Sequence, residues 1–389
     1  MRNFFKILFF IMLIGYGPAT AAAQHYKVII ADGNGNEGTL IAREMESRFE
    51  AYNKLFRFSS ALLENPLKVQ VFLNTDSYDE YVSARLGETR PGAVYIHYNQ
   101  KEKRELVINR GSSDESKALP YQAFIQYLRA FVPNPPLWMR EGFAIYFSTL
   151  NFSPEGEMSY EENLSWLGTV KALGSNAPPL EAILRADGGG TGPSGEEADV
   201  DPHLRSALSW AAASFFMDSG NGDYLRSLEE SFMLLSDTAT AAENTGKTAN
   251  RIFRWSGAET MNRDFLSWLA SRKTFAEFME EGQRAYADKD PAAAELAFSR
   301  ALDQKPGHYA PRYYLGLLAY ENNNFDLAEQ LYLSSREYGA EEALVSYALG
   351  INAAAAGRSK DAVDFLHRAA EAAPEKYKAR AEDLISRLR

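Results

Sequence analysis

The sequence predicts an α+β domain with a helical extension, followed by an all-α solenoid. Gly282, Gly316 and Gly350 recur every 34 residues, as do Ala294, Ala328 and Ala362, and Pro306 and Pro374 stand two such periods apart. A fixed period of this length marks like units stacked into an array. Between Tyr26 and about Leu150, short apolar runs alternate with helix-period segments, the pattern of a mixed domain. Residues 160–270 carry helical apolar spacing almost throughout.

Residues 1–23 read as a secretory signal. Arg2 and Lys6 precede the apolar run Ile7–Ile14, and Ala21-Ala22-Ala23 offers a cleavage site. The run is far short of the ~20 residues that a membrane span needs, and no second long run follows. The expected location is periplasmic, with secretion as the alternative. Cysteine is absent, which excludes disulfides, thiolate metal sites and a cysteine-linked lipid anchor. Loss of the signal would take the formal charge from −11 to −13. An acidic surface is a poor partner for nucleic acid or anionic lipid.

The domain expected over 24–150 starts with a strand at Lys27–Ala31 and the turn Asp32-Gly33-Asn34-Gly35-Asn36. A helix over Gly38–Leu55 follows, with Ile41, Met45, Phe49 and Tyr52 on one face. Val69–Leu73 reads as a strand and Ser77–Leu86 as a helix. Ala93–Tyr98 and Glu105–Asn109 flank the charged Asn99–Arg104, a hairpin signal. Helices at Leu119–Phe131 and Leu137–Thr149 are split by Pro133-Asn134-Pro135-Pro136, prolines that close one helix and open the next. In the extension, 151–273, the clearest helices are Leu204–Met217 and Tyr224–Leu235, and Phe265–Ala270 leads to the repeats. Asp187–Pro202, rich in glycine and acid, reads as a loop.

The region 274–389 divides into units 275–308, 309–342 and 343–376, with Lys376–Leu388 placed to cap the array. It resembles the tetratricopeptide repeat: the glycine and alanine phases let paired helices approach, and Phe298 and Tyr332 fill the large-residue phase. The second unit departs from the pattern at Ser335 and Ala340. The resemblance implies a groove that holds a protein or peptide partner, lined here by Met279, Tyr313 and Tyr347 at one phase and by Tyr286 and Tyr320 at another. Tyrosines give large contact area with a polar tip.

Pro136-Leu137-Trp138-Met139-Arg140-Glu141-Gly142-Phe143-Ala144-Ile145-Tyr146-Phe147 resembles the second active-site helix of gluzincin metallopeptidases of the peptidase MA-like group, over about 26–273. In that family the preceding helix carries His-Glu-x-x-His, two zinc-binding histidines around a general base. The equivalent stretch here is Tyr121-Gln122-Ala123-Phe124-Ile125. Tyr121 and Ile125 stand at the ligand positions, Gln122 at the base, and only the third ligand remains, as Glu141. An isoleucine has no lone pair, an amide takes no proton from bound water, and one carboxylate does not hold zinc. The five histidines never occur four apart. The resemblance therefore implies a pseudopeptidase with no metal and no cofactor. Glu141 also has a plainer reading, as a first-turn glutamate favoured by the helix dipole.

Thr245-Gly246-Lys247-Thr248 mimics a phosphate-binding loop, but the earlier glycine is Ala241 and no strand precedes it. Gly188-Gly189-Gly190 suits a flexible loop. The resemblances together imply a non-catalytic extracytoplasmic scaffold. The alternatives are a metal-independent envelope hydrolase using Glu141 with Tyr121, and a structural envelope subunit that self-associates.

Overall fold

The computed structural model describes residues 25–33, 36–152, 158–160, 164–186 and 201–388. The signal-like residues 1–23 and Gly188-Gly189-Gly190 lie outside the described residues. The chain forms two compact units, one ending at Ser271 and one starting at Arg272.

The first unit opens with β1 (Tyr26–Ile30), α1 (Asn36–Phe56), β2 (Leu67–Phe72), α2 (Thr75–Leu86), β3 (Ala93–Ile96) and β4 (Glu105–Asn109). The strands form one sheet in the order β1-β2-β4-β3. β1, β2 and β4 are parallel, and β3 pairs antiparallel with β4 at the edge. The expected hairpin is present, and burial explains its placement. All five residues of β4 are buried, so it takes the interior position, whereas Tyr95 leaves β3 partly exposed at the edge. Strand alternation sends Val69, Val71, Leu106 and Ile108 into the main core, and Phe72, Val94, Ile96 and Val107 against Tyr78 and Val82 of α2.

Next come α3 (Glu115–Phe131) and α4 (Leu137–Tyr146). The second is shorter than its apolar pattern predicts. Ser148 and Thr149 donate hydroxyl bonds to the Ile145 and Tyr146 carbonyls at 2.6 and 3.3 Å, competing with the helix ladder. One 3-10 turn over Phe147–Thr149 then leads into β5 (Leu150–Phe152), which pairs antiparallel with β6 (Met158–Tyr160). These two strands have no counterpart in the expected pattern.

Six helices complete the unit: α5 (Ser165–Lys171), α6 (Leu180–Arg185), α7 (Pro202–Asp218), α8 (Gly222–Phe232), α9 (Ala241–Ser256) and α10 (Ala258–Ser271). α7 is buried without a break from Ala207 to Phe216, the mark of a central helix. One core runs from Tyr26 to Leu269, so the sheet and the later helices share an interior. Aromatic contacts join α1 to α8 and to α3, with Phe56 stacked on Phe232 at 4.3 Å and Tyr52 edge-on to Phe124 at 5.2 Å. Thr245-Gly246-Lys247-Thr248 lies inside α9 with both threonines buried, which leaves no loop to cradle a phosphate.

The second unit is three helical pairs and a final helix: α11 (Phe275–Ala287) with α12 (Pro291–Gln304), α13 (Tyr309–Glu321) with α14 (Phe325–Glu337), α15 (Glu342–Ala355) with α16 (Ser359–Ala372), then α17 (Pro374–Leu388). A capping box, Thr274 with Glu277, opens the first pair. Each phase-8 glycine lies under a large side chain of its partner helix. A Cβ at Gly282 would come within 2.6 Å of the Phe298 ring, at Gly316 within 2.6 Å of Tyr332, and at Gly350 within 2.7 Å of Leu366. The turn inside each pair holds a left-handed residue, Lys289 (φ 61°), Asn323 (φ 57°) and Gly357 (φ 76°), again 34 residues apart. In the second pair Ser335 is buried and donates to the Tyr332 carbonyl at 2.7 Å, and Gly339 (φ 94°) makes the exit turn that proline makes elsewhere. Leu366 packs with Ala381 and Ile385 of α17, which covers the apolar side of the last pair.

Candidate functional site

α3 buries Ala123, Phe124, Tyr127, Leu128 and Phe131 in the main core. Tyr121, Gln122, Ile125 and Arg129 fall at spacings of three and four on another part of its surface, and all are partly exposed. The Tyr121 hydroxyl donates to Glu141 Oε2 at 2.5 Å. Arg140 donates to Glu141 Oε1 from Nε at 3.1 Å and from Nη2 at 2.8 Å. Both oxygens of the carboxylate are thus engaged. Burial first, then the Glu141 charge, pushes the Tyr121 hydroxyl far above its ordinary range, with Arg140 opposing. Tyr121 therefore acts as a proton-bearing donor and not as an anionic ligand.

Gln122 turns to the sheet, where its Oε1 accepts the Tyr95 backbone N–H at 3.0 Å on the free edge of β3. Ile125 packs against the main core. The structure thus joins Tyr121 to Glu141, and sends Gln122 and Ile125 to other partners. The plainer reading of Glu141 needs correction. α4 starts at Leu137 and has no acid in its first turn, so Glu141 sits beyond the reach of the helix N-terminus and is held by side chains. Other residues of the same motif have packing roles. A Cβ on Gly142 would lie 2.2 Å from the Ser209 carbonyl oxygen, so glycine is what lets α4 lie against α7. Trp138 and Phe143 are buried, and the Tyr146 hydroxyl donates to Asp218 Oδ1 at 2.9 Å.

Cationic side chains that sequence reasoning passed over gather beside this pair. Burial and the nearby charges of Arg140 and Arg104 lower the Arg129 guanidinium, with the Arg140 effect the larger of the two. Burial, Arg129 and Arg104 push the His97 imidazole down to about 4, and its Nδ1 lies 3.2 Å from the Tyr95 hydroxyl. The helical spacing of Gln122, Gln126 and Arg129 was the available signal. Among the described residues no three of His, Asp or Glu converge as metal ligands do.

In the second unit, Met279 is buried with Phe298 and Leu318. The Tyr286 hydroxyl donates to Glu321 Oε1 of the next pair at 2.5 Å. Tyr313 is half-buried, 5.7 Å from the Tyr332 ring, and burial pushes its hydroxyl up to about 12. Tyr320 lies 6.1 Å from Phe325, and Tyr347 lies 4.8 Å from Tyr377 of the final helix. Tyr286 and Tyr313 both lie against the Tyr314 ring, at 6.3 and 6.0 Å. Their rings partly serve the packing of the array and partly face outward.

The tetratricopeptide repeat family model matches residues 285–351, within the second unit. No curated protein matches the chain. The repeats suggest a role in holding other proteins, and no described helix is long and apolar enough to cross a membrane.

Proposed function

We propose that this chain is a non-catalytic scaffold that works outside the cytoplasm and binds a protein or peptide partner through the groove of its repeats. The observation that carries the reading is the three-pair array, with partly exposed tyrosines in successive pairs, among them Tyr286 and Tyr313, which meet at the Tyr314 ring. The signal-like start of the sequence supports the location. The first unit is read as a degenerate gluzincin-like domain. In support, the positions assigned to the first and third zinc ligands, Tyr121 and Glu141, are hydrogen-bonded neighbours. The position assigned to the base holds an amide that is occupied by the sheet edge. A metal-free hydrolase would need Glu141 free to take a proton from water, and both of its oxygens are already engaged by Tyr121 and Arg140.

The groove is tested with the double variant Tyr286→Phe, Tyr320→Phe, which keeps the rings and removes the polar tips. Quantitative cross-linked capture from an extracytoplasmic extract of the native host should fall several-fold, with unchanged thermal melting. Equal capture by the variant would reject the groove as the binding surface.

A further inference from the structure

A cavity of about 330 Å³ opens at the ends of β1 and β2, walled by Lys27, Lys68, Tyr95, Arg104 and Gln126. Arg129 of α3 is not itself a wall residue, but its guanidinium lies near enough to the wall residues Tyr95 and Arg104 to feel the charge of each. Two buried polar atoms here have no protein partner. Gln126 is 2% exposed; its amide nitrogen donates to the Lys68 carbonyl at 2.8 Å, but its Oε1 accepts nothing among the described residues. Arg129 Nε is likewise buried and unpaired, and no described carboxylate forms an ion pair with that guanidinium. A buried acceptor and a partly buried cation left in this state each cost stability.

Charge at the cavity is unevenly spent. Lys68 is paired with Glu105 at 2.6 Å and Lys101 with Glu64 at 3.0 Å. Arg104 uses Nε on the Tyr98 carbonyl at 2.8 Å and keeps its outer nitrogens. Arg104 and Arg129 thus form no ion pair with a described carboxylate, although Glu102 also lines the cavity and the Glu141 charge acts on Arg129, in a chain whose formal charge is −11. Planar, forked donors fit a carboxylate. The unmet acceptor on Gln126 asks in addition for a donor, and a peptide end supplies a backbone N–H close to its carboxylate. The volume lies at the small end of the ~300–1,000 Å³ range of ligand pockets, which suits a chain end rather than a long segment.

We propose that this cavity binds the C-terminal carboxylate of a peptide, with Arg129 and Arg104 holding the carboxylate and Gln126 Oε1 accepting a backbone N–H. The site is separate from the repeat groove, and it rests on the cavity rather than on the ancestry of the domain. It makes Arg129 a residue kept for binding at the expense of stability.

The test uses the full mature chain with trialanine, trialanine amide and inorganic phosphate, read by calorimetry and by the histidine ring signals in NMR. The acid should bind about tenfold or more tighter than the amide and than phosphate. It should also raise the titration midpoint of His97, whose imidazole feels Arg129 and Arg104. In Arg129→Gln, acid binding should fall by a similar factor while melting stays level or rises, since an unpaired charge is gone. Equal binding of acid and amide would overturn the proposal, and so would phosphate binding as well as the acid. An Arg129→Gln chain that melts lower yet binds normally would assign Arg129 a structural role only. The comparison of acid with amide needs no variant, so a folding defect cannot rescue the idea.

Discussion

Individual side chains in the first unit are placed by what is left after the core is filled. Tyr121 was legible as a departure from a ligand pattern, and the structure adds its hydrogen bond to Glu141. That Gln122 would cap the β3 edge was not legible, because it depends on a strand 27 residues away in the chain. Asp218 shows the same limit more sharply. It ends a helix that reads as ordinary, yet its carboxyl is buried with Oδ2 unpaired, and burial lifts it from the usual range to about 6 against the Tyr146 hydrogen bond. A carboxyl with a raised folded pKa binds more protons folded than unfolded between about pH 4 and 6. Stability therefore falls as pH rises through that window, and the cost is complete above it. Asp218→Asn keeps an acceptor for Tyr146 and removes the charge, and an unmet amide costs less than an unmet anion. The variant should gain about 1–3 kcal/mol at pH 7 and converge with the parent near pH 4. Urea unfolding at the two pH values checks this, and a gap that does not change with pH would remove the charge as its cause.

Helices and turns of the repeat unit were the most legible elements, because period and packing agree there. The glycine phase announced close approach, and all three glycines lie under a partner side chain. The turn phase was invisible, since Lys289, Asn323 and Gly357 share a left-handed backbone and no chemistry. Two substitutions of opposite sign follow from this contrast. In Gly316→Ala, helix propensity favours alanine by about 1 kcal/mol. Its Cβ would meet the Tyr332 ring at 2.6 Å, and that ring is 1% exposed and cannot swing away. Overpacking of this kind costs about 1–3 kcal/mol, so the net change should be destabilising. Lys289→Gly should stabilise, because left-handed backbone costs a side-chain residue about 1–2 kcal/mol and glycine gives back only ~0.5–1 in entropy. Hydrogen exchange on peptides from α11 to α14 should show faster opening in the first variant and slower opening in the second. Slower opening in Gly316→Ala would mean that the helices separate to admit a methyl group.

At the scale of the molecule, the sequence marks the array by its repetition and the first unit only by a motif. Repetition is three copies of one solution, whereas the sheet order β1-β2-β4-β3 and the β5-β6 pair are set by contacts that no local pattern encodes. The motif on α4 is legible for a mixed reason. Gly142, Trp138 and Phe143 are there to pack, and they fix α4 against α7 whether or not a metal ever sat nearby. The gluzincin-like reading therefore turns on whether α3 and α4 still hold the spacing of a three-ligand site. The triple variant Tyr121→His, Gln122→Glu, Ile125→His asks this directly. Replacing Tyr121 frees Glu141 Oε2 from its hydroxyl donor, and Arg140 remains on Oε1 to orient the carboxylate. Histidines at 121 and 125 stand one turn apart on a helix. With Glu141 they make the three protein ligands that a catalytic zinc site requires. The variant should retain close to one zinc per chain after dialysis, by elemental mass spectrometry, and melt higher with zinc than without, since metal that binds only the folded state stabilises it. The parent chain, treated alike, should retain almost none. A folded triple variant without zinc would show that α3 and α4 do not carry the zincin register, and the scaffold reading would then rest on the repeats alone.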